Sequence, residues 1–472
     1  MKGGLLPTCC GPGQEVKSFS EIPGECCIMG IMAKKLLIIH PSHYQTRSNL
    51  TIHKSRRRAL VSLTLPYLAA LTPAGWDVKL IDEQLVDIDF EAPVDLVALT
   101  TWTINSFRAY EIADRFRERG IPVIMGGPHT YFHAEETAEH CDSVGIGEGE
   151  NIWPVMLEDA ANGRLKKLYR SGPVPDLHGL PFPRYDLLDL RRYSWFKTYS
   201  IQTSRGCPFK CEFCSERFYL GDGYRYRPVG EVIEEIRASK ARNLLFADSN
   251  FAGKVDHTME LMEALIPLKV RWSSLWSAYL CSNQKFMDLA QRSGLLHLNI
   301  GIESIDPDAL EEMNKKANKV QQYEEILTNL RKRGISYSLN FIFGLDTERT
   351  DVFRSTQTFL RENRVPVAYF NILTPHKGTS LYERMKAENR IIDIQHIGRW
   401  PGIFCNIKPK HYLPEELEEK VKRLYLDFYS YPSMLARLPL PLTKSSIASW
   451  VVNLSQRKFS FGDGAAENFD DY

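Results

Sequence analysis

The chain lacks a long uninterrupted hydrophobic run. Its longest apolar stretch, residues 60–76, is broken by Pro66 and Pro73, whereas a membrane-spanning helix needs about 20 continuous apolar residues. The first residues also lack a basic segment followed by a long apolar core, so no secretory signal is expected. These absences predict a cytoplasmic protein without a transmembrane segment.

An excess of charge of either sign is also missing. The 472 residues include 59 Lys and Arg against 58 Asp and Glu, which gives a net charge of +1. This balance predicts no nucleic-acid partner and no anionic membrane surface as partner. With 43% hydrophobic and 25% charged residues, the composition is that of a globular protein. The length predicts about three structural units.

Cysteine is scarce and unevenly placed. Ten cysteines in 472 residues are too few for a disulfide scaffold. Three of them lie in the segment RGCPFKCEFC at 205–214, with the spacing C-x3-C-x2-C. Thiolates are natural ligands of iron–sulfur clusters, so Cys207, Cys211 and Cys214 are predicted to bind one. Three ligands leave one iron of a four-iron cluster open to an exogenous group.

A zinc knuckle or three structural thiols are the alternatives for this segment. A structural zinc site is usually closed by a fourth Cys or His, and the next cysteine in the sequence is Cys281. Gly206 and Pro208 favour a loop over a buried core segment. The iron–sulfur cluster is therefore the preferred interpretation.

Residues 1–33 are rich in Gly, Pro and Cys and show no hydrophobic period. They are predicted to be a disordered extension. The paired cysteines Cys9 with Cys10 and Cys26 with Cys27 leave a metal or lipid site as the alternative.

Residues 34–163 alternate five short apolar runs with helical segments, among them a single helix predicted over Arg57–Leu71. Near-continuous apolar strands separated by helices are typical of a parallel, doubly wound α/β sheet. Five strands favour the flavodoxin-like, or Rossmann-like, strand order. The Pro-rich, aperiodic residues 164–197 are predicted to be a linker.

Residues 198–380 repeat this alternation with six strands, and the helical region 307–333 is predicted in two pieces. Six parallel units predict a partial (β/α)6 barrel with its functional residues at the carboxyl ends of the strands. Four aromatic side chains are predicted to pack within this barrel: Trp272, Trp276, Tyr279 and Phe286. Residues 381–472 predict a small, mainly helical C-terminal segment with a disordered end.

The cysteine spacing on a loop after the first barrel strand resembles that of the radical S-adenosylmethionine (radical SAM) superfamily. The resemblance implies that the open iron of a [4Fe–4S] cluster binds S-adenosyl-L-methionine (SAM). It also assigns cofactor contacts to this chain: Phe213 against the adenine, Asp248 and Asn250 near the methionine moiety, Glu303 and Ser304 in the segment that holds the ribose, and Ile342 and Gly344 along the adenine. A Glu at a strand end is otherwise a solvated or capping residue.

Small or polar residues follow three strands of the first series, and these strand ends meet at one edge of a parallel sheet. The residues are Thr100, Thr101, Gly126, Gly127, His129, Gly147, Glu148, Gly149 and Glu150. Tight turns that lead into helices are the alternative interpretation. A nucleotide site fits less well because the first strand is followed by HPSH and not by G-x-G-x-x-G.

The segments GGPH and GEGE in this region are similar to those of the cobalamin-binding domain that is fused to many radical SAM proteins. The combined resemblance covers about residues 34–385. The family motif D-x-H-x-x-G, whose His ligates cobalt, is absent, and His40 and His43 do not form it. We therefore expect the cobalt to lack a protein imidazole ligand.

Together, these resemblances imply a cobalamin-dependent radical SAM enzyme, most simply a C-methyltransferase that acts on an unactivated carbon. Hydrogen abstraction by a 5′-deoxyadenosyl radical and methyl transfer from methylcobalamin would be its chemistry. One alternative is a ring-closing or rearrangement enzyme of the same fusion class. Another is an iron–sulfur and corrinoid-binding carrier or sensor without turnover.

The substrate is left open by the sequence. A small molecule or lipid is expected, with tetrapyrroles, natural products and peptide side chains among the candidates. The chemistry also implies an external electron donor such as flavodoxin or ferredoxin.

Overall fold

The computed structural model describes residues 33–44, 51–221, 223–349, 351–392, 402, 404–438 and 444–461. Nearly all of the predicted N-terminal extension, including its four cysteines, lies outside the described residues. The predicted disordered end after residue 461 lies outside them as well.

The first half of the described chain builds a parallel sheet with helices on both faces. Its strands are β1 (Lys34–His40), β2 (Arg58–Val61), β3 (Trp76–Asp82), β4 (Leu96–Thr100), β5 (Val123–Gly126), β6 (Ser143–Ile146) and β7 (Leu168–Arg170). Its helices are α1 (Thr64–Leu71), α2 (Ser106–Glu118), α3 (Pro128–Phe132), α4 (Ala134–His140) and α5 (Gly149–Ala161). Apart from β2, these strands form a sheet in the order β3-β1-β4-β5-β6-β7.

The order of the first five strands of this sheet is the flavodoxin-like order that the sequence predicts. β4 is buried along its whole length, as expected for a strand covered by helices on both sides. The sixth strand, β7, lies in the segment predicted as a linker and pairs with β6. Only Tyr169 of its three residues is buried, so β7 has no apolar run that the sequence could reveal.

The single helix predicted over Arg57–Leu71 is wrong. The segment forms β2 and then α1, and β2 pairs in parallel with a strand of the second sheet. The Arg58 side chain forms an ion pair with Asp82 at 2.5 Å. The helical pattern of the segment could not reveal this strand, because the edge that β2 completes lies more than 130 residues away in sequence.

The second half of the described chain forms the predicted partial barrel. Its strands are β8 (Tyr193–Ile201), β9 (Ser204–Arg205), β10 (Arg225–Tyr226), β11 (Asn243–Phe246), β12 (Arg271–Leu275), β13 (Leu295–Glu303), β14 (Ser336–Phe343) and β15 (Val367–Ile372). Its helices are α6 (Glu216–Leu220), α7 (Val229–Ser239), α8 (Val255–Leu265), α9 (Gln284–Ser293), α10 (Pro307–Glu312), α11 (Tyr323–Lys332), α12 (Val352–Glu362) and α13 (Ser380–Ala387).

The barrel sheet has the order β15-β14-β13-β12-β11-β8-β2, with every neighbouring pair parallel. The six predicted strands are all present, and the first half of the chain contributes the seventh, β2. The short strands β9 and β10 form a separate antiparallel pair beside the cysteine segment. Of the predicted core aromatics, Trp272, Trp276 and Phe286 are buried, whereas Tyr279 is 38% exposed.

The C-terminal segment is helical as predicted, with α14 (Pro414–Phe428), α15 (Tyr431–Arg437) and α16 (Lys444–Phe461). α14 packs on β15, and α16 packs on β13, β14 and β15. No helix in the described part of the chain is long and apolar enough to cross a membrane.

Candidate active site

A buried carboxylate anchors the segment that leads to the cysteines. Asp248, two residues after β11, accepts hydrogen bonds from the backbone N–H groups of Thr203 and Ser204, each at 2.8 Å. The Thr203 hydroxyl donates to its other oxygen at 2.6 Å. Burial raises the pKa of Asp248 to about 6, although these hydrogen bonds oppose the shift. Asp248 therefore holds the cysteine segment against the end of β11.

There is no room for a side chain at Gly206. Its φ is +86°, and a Cβ atom there would lie 2.0 Å from the carbonyl oxygen of Gly223. A residue other than glycine would combine a left-handed backbone with a backbone clash. This glycine sets the direction in which the chain enters the cysteine loop.

The three cysteines of the loop are half-buried free thiols. Burial raises the pKa of each, that of Cys214 to about 11. Each thiol lies within electrostatic range of another, since Cys207 also raises the pKa values of Cys211 and Cys214. In the described residues, no three Cys, His, Asp or Glu side chains stand close enough together to hold a metal ion.

The three thiols fit an iron–sulfur cluster that would bring them closer together when it binds. Three thiols on one loop are the ligands that such a cluster uses, and metal binding removes their protons. Lys315 favours the thiolate forms, because its charge lowers the pKa values of Cys207 and Cys211.

Glu303 ends β13 with a φ of +63°, an uncommon conformation for a residue with a side chain. Its carboxylate forms an ion pair with Lys315 Nζ at 2.5 Å. Burial alone would lower the pKa of Lys315, but Glu303 and Cys211 raise it. The Lys315 ammonium also lies 5.9 Å from the centre of the Phe213 ring. Lys315 thus connects Phe213, Glu303 and the cysteines, and the sequence analysis missed it because it lies in a loop outside any motif.

Three of the other predicted contacts to SAM, Asn250, Ser304 and Gly344, make polar contacts within the protein. Asn250 is buried, its Nδ2 lies 3.8 Å from Cys207 Sγ, and its Oδ1 has no partner in the described residues. Ser304 Oγ accepts the backbone N–H of Asp306 at 3.0 Å. The N–H of Gly344 donates to Glu348 at 2.9 Å, and Ile342 is half-buried on β14.

A cavity of about 270 Å³ lies at the carboxyl edge of the first sheet. Seven predicted residues line it: Thr100, Gly126, Gly127, Gly147, Glu148, Gly149 and Glu150. Gln202, Arg205, Tyr219 and Leu220 from the second half complete the wall. The cavity therefore opens between the two halves, next to the helix that follows the third cysteine.

Two predicted residues do not line this cavity. Thr101 is buried, and its hydroxyl has no partner in the described residues. His129 is also buried, with Nε2 2.7 Å from the Tyr110 hydroxyl and its ring stacked on His133. Both residues lie beside the cavity wall and not on its surface.

Buried ion pairs join the two halves beside the cavity, and three of their residues line it. Arg205, two residues before the first cysteine, forms ion pairs with Glu148 and, at 2.6 Å, with Glu150. Arg225 forms a second ion pair with Glu148, and the Tyr67 hydroxyl donates to Glu150 at 2.6 Å. We call Arg205, Arg225, Glu148 and Glu150 the ionic junction. Its carboxylates, predicted as cofactor contacts, bind arginines of the second half.

Comparisons with known proteins agree with this architecture. The family model of the radical SAM superfamily matches residues 201–360, and that of the B12 binding domain matches residues 56–156. A bacteriochlorophyllide d C-12(1)-methyltransferase of Chlorobaculum tepidum is 30% identical over 440 residues, 90% of this chain and 93% of that protein. The chain belongs to the cobalamin-dependent radical SAM enzymes.

Two further proteins are similar to the chain over most of its length. A bacteriochlorophyllide d C-8(2)-methyltransferase of Chlorobaculum tepidum is 30% identical over 81% of this chain and 88% of that protein. An anaerobic magnesium-protoporphyrin IX monomethyl ester cyclase of Rubrivivax gelatinosus is 23% identical over 87% of this chain and 79% of that protein.

Solved structures of cobalamin-dependent radical SAM enzymes share the fold. OxsB with aqua-cobalamin and SAM bound matches 91% of this chain and 72% of that chain, with a TM-score of 0.68 and 15% identity. The methyltransferase TsrM from Kitasatospora setae, with cobalamin and a [4Fe–4S] cluster bound, matches 76% of this chain and 78% of that chain, with a TM-score of 0.60 and 18% identity.

The predicted family, fold class and methyltransferase type of this radical SAM enzyme are confirmed. The three predicted cofactors, a [4Fe–4S] cluster, SAM and cobalamin, are confirmed with them. The individual cofactor contacts and the domain boundaries stay predictions.

Removal of Arg205 tests the ionic junction. We expect Arg205→Leu to destabilise the protein by about 3–5 kcal/mol at pH 7, because the buried Glu150 carboxylate loses its ion pair and keeps only the Tyr67 hydroxyl. Arg205 lowers the pKa of Glu150, a stabilisation that is present above the ordinary carboxyl pKa and lost as the pH falls. The difference from wild type should therefore shrink below about pH 4.5. Urea unfolding of the apo-protein at pH 7 and below about pH 4.5 measures the difference in stability.

Arg184→Leu is the matched control, because Arg184 and Asp186 form an exposed pair. Its expected cost is at most about 1 kcal/mol. Equal costs for the two variants would show that the ionic junction adds nothing specific to the stability of the protein.

Proposed function

We propose that the protein is a C-methyltransferase whose substrate is a tetrapyrrole of the bacteriochlorophyllide type. The observation that carries this proposal is the nearly end-to-end 30% identity to the bacteriochlorophyllide d C-12(1)-methyltransferase. The C-8(2)-methyltransferase and the cyclase, whose names also specify tetrapyrroles, support the same substrate class. When bound, the cluster and SAM supply a carbon-centred oxidant, and cobalamin supplies a methyl group.

The cavity at the carboxyl edge of the first sheet is proposed to hold the nucleotide tail of cobalamin. Its volume of about 270 Å³ lies just below the range of about 300–1,000 Å³ that is usual for whole ligands. It therefore suits a part of the corrinoid better than the macrocycle. Apolar side chains such as Leu68, Trp153 and Met156 line it together with the glycines, which fits a stacked aromatic base.

Residues around the cysteines are proposed to orient SAM. The buried Oδ1 of Asn250 lacks a partner beside Cys207 and suits the amino group of the methionine moiety. The Glu303 carboxylate suits the ribose hydroxyls, and its ion pair with Lys315 holds it in place. Asp248, Ser304, Ile342 and Gly344 are proposed to act through the backbone that they shape.

A larger side chain at Gly126 should exclude the corrinoid. Gly126 ends β5 on the cavity wall, and a Cβ atom there meets only the Gly145 carbonyl oxygen at 3.9 Å. Gly126→Val therefore adds bulk to the cavity without a backbone clash. Overfilling a packed site costs about 1–3 kcal/mol, so corrinoid binding should weaken roughly five- to hundredfold. Absorbance titration with hydroxocobalamin measures this change.

Gly172→Val is the control, since Gly172 has open space around its Cβ position. It should bind the corrinoid like the wild type. Gly127 is less suitable for the test, because its φ of +108° and a contact of 2.6 Å from its Cβ position to Thr101 predict local misfolding. Unchanged corrinoid affinity in Gly126→Val would place the cofactor elsewhere.

Glu303 variants test the SAM contact. A hydrogen bond to a charged group contributes about 1.5–3 kcal/mol, so Glu303→Ala should weaken SAM binding roughly ten- to hundredfold. Glu303→Gln keeps one acceptor and should lose less. Calorimetric titration of SAM into the cluster-loaded protein measures both variants. Glu324→Gln, at an exposed position on α11, serves as the control, and wild-type affinity in Glu303→Ala would remove Glu303 from the site.

Turnover tests the function itself. The anaerobically reconstituted protein, with a reductant, cobalamin, bacteriochlorophyllide d and SAM with a deuterated methyl group, should yield 5′-deoxyadenosine and a product with one labelled methyl group. Mass spectrometry detects both products. Cys211→Ala should form neither, because it removes a thiol ligand of the cluster.

The same assay separates the remaining functions. The similarity to the cyclase favours a ring-closing reaction as the second candidate, and 5′-deoxyadenosine with an unlabelled, oxidised tetrapyrrole product would indicate it. Absence of 5′-deoxyadenosine in the wild type would favour a carrier or sensor. The flavodoxin- or ferredoxin-type donor and the cytoplasmic location stay predictions.

A further inference from the structure

Polar side chains line one face of the barrel sheet in the middle of β13 and β14. Leu298 is buried in the core, and side chains alternate between the two faces of a strand, so His297 and Asn299 point away from that core. On β14, Ser336 is in register with His297, and Ser338 with Asn299. We call this side of the two strands the polar face.

Hydrogen bonds connect these side chains in a fixed direction. The Ser338 hydroxyl donates to Asn299 Oδ1 at 3.1 Å, so it accepts from His297 Nε2, also at 3.1 Å. His297 then accepts at Nδ1 from the Ser336 hydroxyl at 2.9 Å. Burial lowers the pKa of His297 to about 4, which agrees with a neutral imidazole in this chain. Ser449 of α16 hydrogen-bonds to Ser336 at 2.8 Å.

The hydrogen-bond chain ends at the amide of Asn299. Asn340 Nδ2 donates to Asn299 Oδ1 at 2.6 Å, so this oxygen accepts two hydrogen bonds. The orientation of the amide is thereby fixed, and its Nδ2 has no partner in the described residues. Ser336 and Ser338 are buried, whereas Asn299 and Asn340 are half-buried. The hydrogen-bond chain is therefore buried at the end near α16, whereas its other end, Asn299, is accessible.

The position of this amide relative to Glu303 suits substrate binding. Asn299 precedes Glu303 by four residues on β13, which is about 13 Å along the strand. Asn340 is level with Gly301, two residues closer to Glu303. A macrocycle with one edge near the proposed ribose contact would extend over this distance.

We propose that Asn299 is a substrate-binding residue whose Nδ2 donates hydrogen bonds to a carbonyl or carboxylate oxygen of the tetrapyrrole. This inference rests on the proposed function and names the chemical group of the substrate that the protein binds. The two N–H donors of this partly buried amide are available to an acceptor on a ligand, and tetrapyrroles carry such oxygens at their periphery. A pure hydrocarbon would leave these donors without a partner.

Asn299→Asp tests this proposal with little change in shape. Its carboxylate still accepts from Ser338 and Asn340, but it presents an acceptor oxygen where the wild type presents two donors. We expect bacteriochlorophyllide d to bind at least about tenfold more weakly, as measured by fluorescence titration of the cluster- and cobalamin-loaded protein. The KM for the tetrapyrrole should rise in parallel, while SAM affinity and iron content stay at wild-type values.

Two further variants complete the test. Asn243→Asp makes the same change at the start of β11, where Nδ2 lies 3.5 Å from the Lys197 carbonyl oxygen, and should bind the tetrapyrrole like the wild type. Asn299→Ala removes the donors without adding charge and should also weaken binding, which keeps the test valid if the aspartate variant folds poorly.

The outcomes separate this inference from the proposed function. Weaker tetrapyrrole binding in both Asn299 variants, with Asn243→Asp unaffected, supports the inference. Wild-type affinity in either folded Asn299 variant overturns it and leaves the substrate class standing. Failure of the wild type itself to bind bacteriochlorophyllide d overturns both.

Discussion

The ionic junction is the constraint on which the relation between the two halves depends. Charged groups removed from water must be paired, or they are strongly destabilising. Arg205 is 9% exposed, and its partners Glu148 and Glu150 are 5% and 10% exposed. Each half of the molecule supplies one sign of this charge, so neither half alone neutralises its own charged groups. Because Arg205 lies two residues before Cys207, the same contacts fix the cysteine loop relative to the cavity of the first sheet.

Features that depend on local sequence were predictable. The three cysteines, the glycines at strand ends and the six barrel strands each carry their signal within a short segment, and the structure places them as expected. Features that depend on a distant partner were not. β2 becomes a strand only because β8 offers a free edge, and Lys315 gains its place only when the loop after α10 folds back towards Glu303.

In the GEGE segment, residues that are predicted to contact cobalamin also make contacts between the two halves. Its residues do line the predicted crevice. Their carboxylates, however, bind Arg205, Arg225 and Tyr67, which lie between 55 and 83 residues away in sequence. The two glycines of the segment line the cavity, while both acidic side chains bind arginines of the second half. A motif that is read as ligand-binding thus also joins the two halves.

Acidic residues that follow barrel strands hold loops within the second half. Asp248 binds the start of the cysteine loop, and Glu348 accepts the N–H of Gly344 after β14. Burial raises the pKa of Asp248 to about 6 and that of Glu348 to about 8, so holding these carboxyl groups inside the protein has an energetic cost. Apart from the one that the Thr203 hydroxyl donates to Asp248, the hydrogen bonds that offset part of this cost go to backbone at the carboxyl edge of the barrel. The edge that is proposed to face the cofactors is therefore ordered by acids that hold loops, and these acids are distinct from Asn250, Glu303 and the thiols, the proposed contacts.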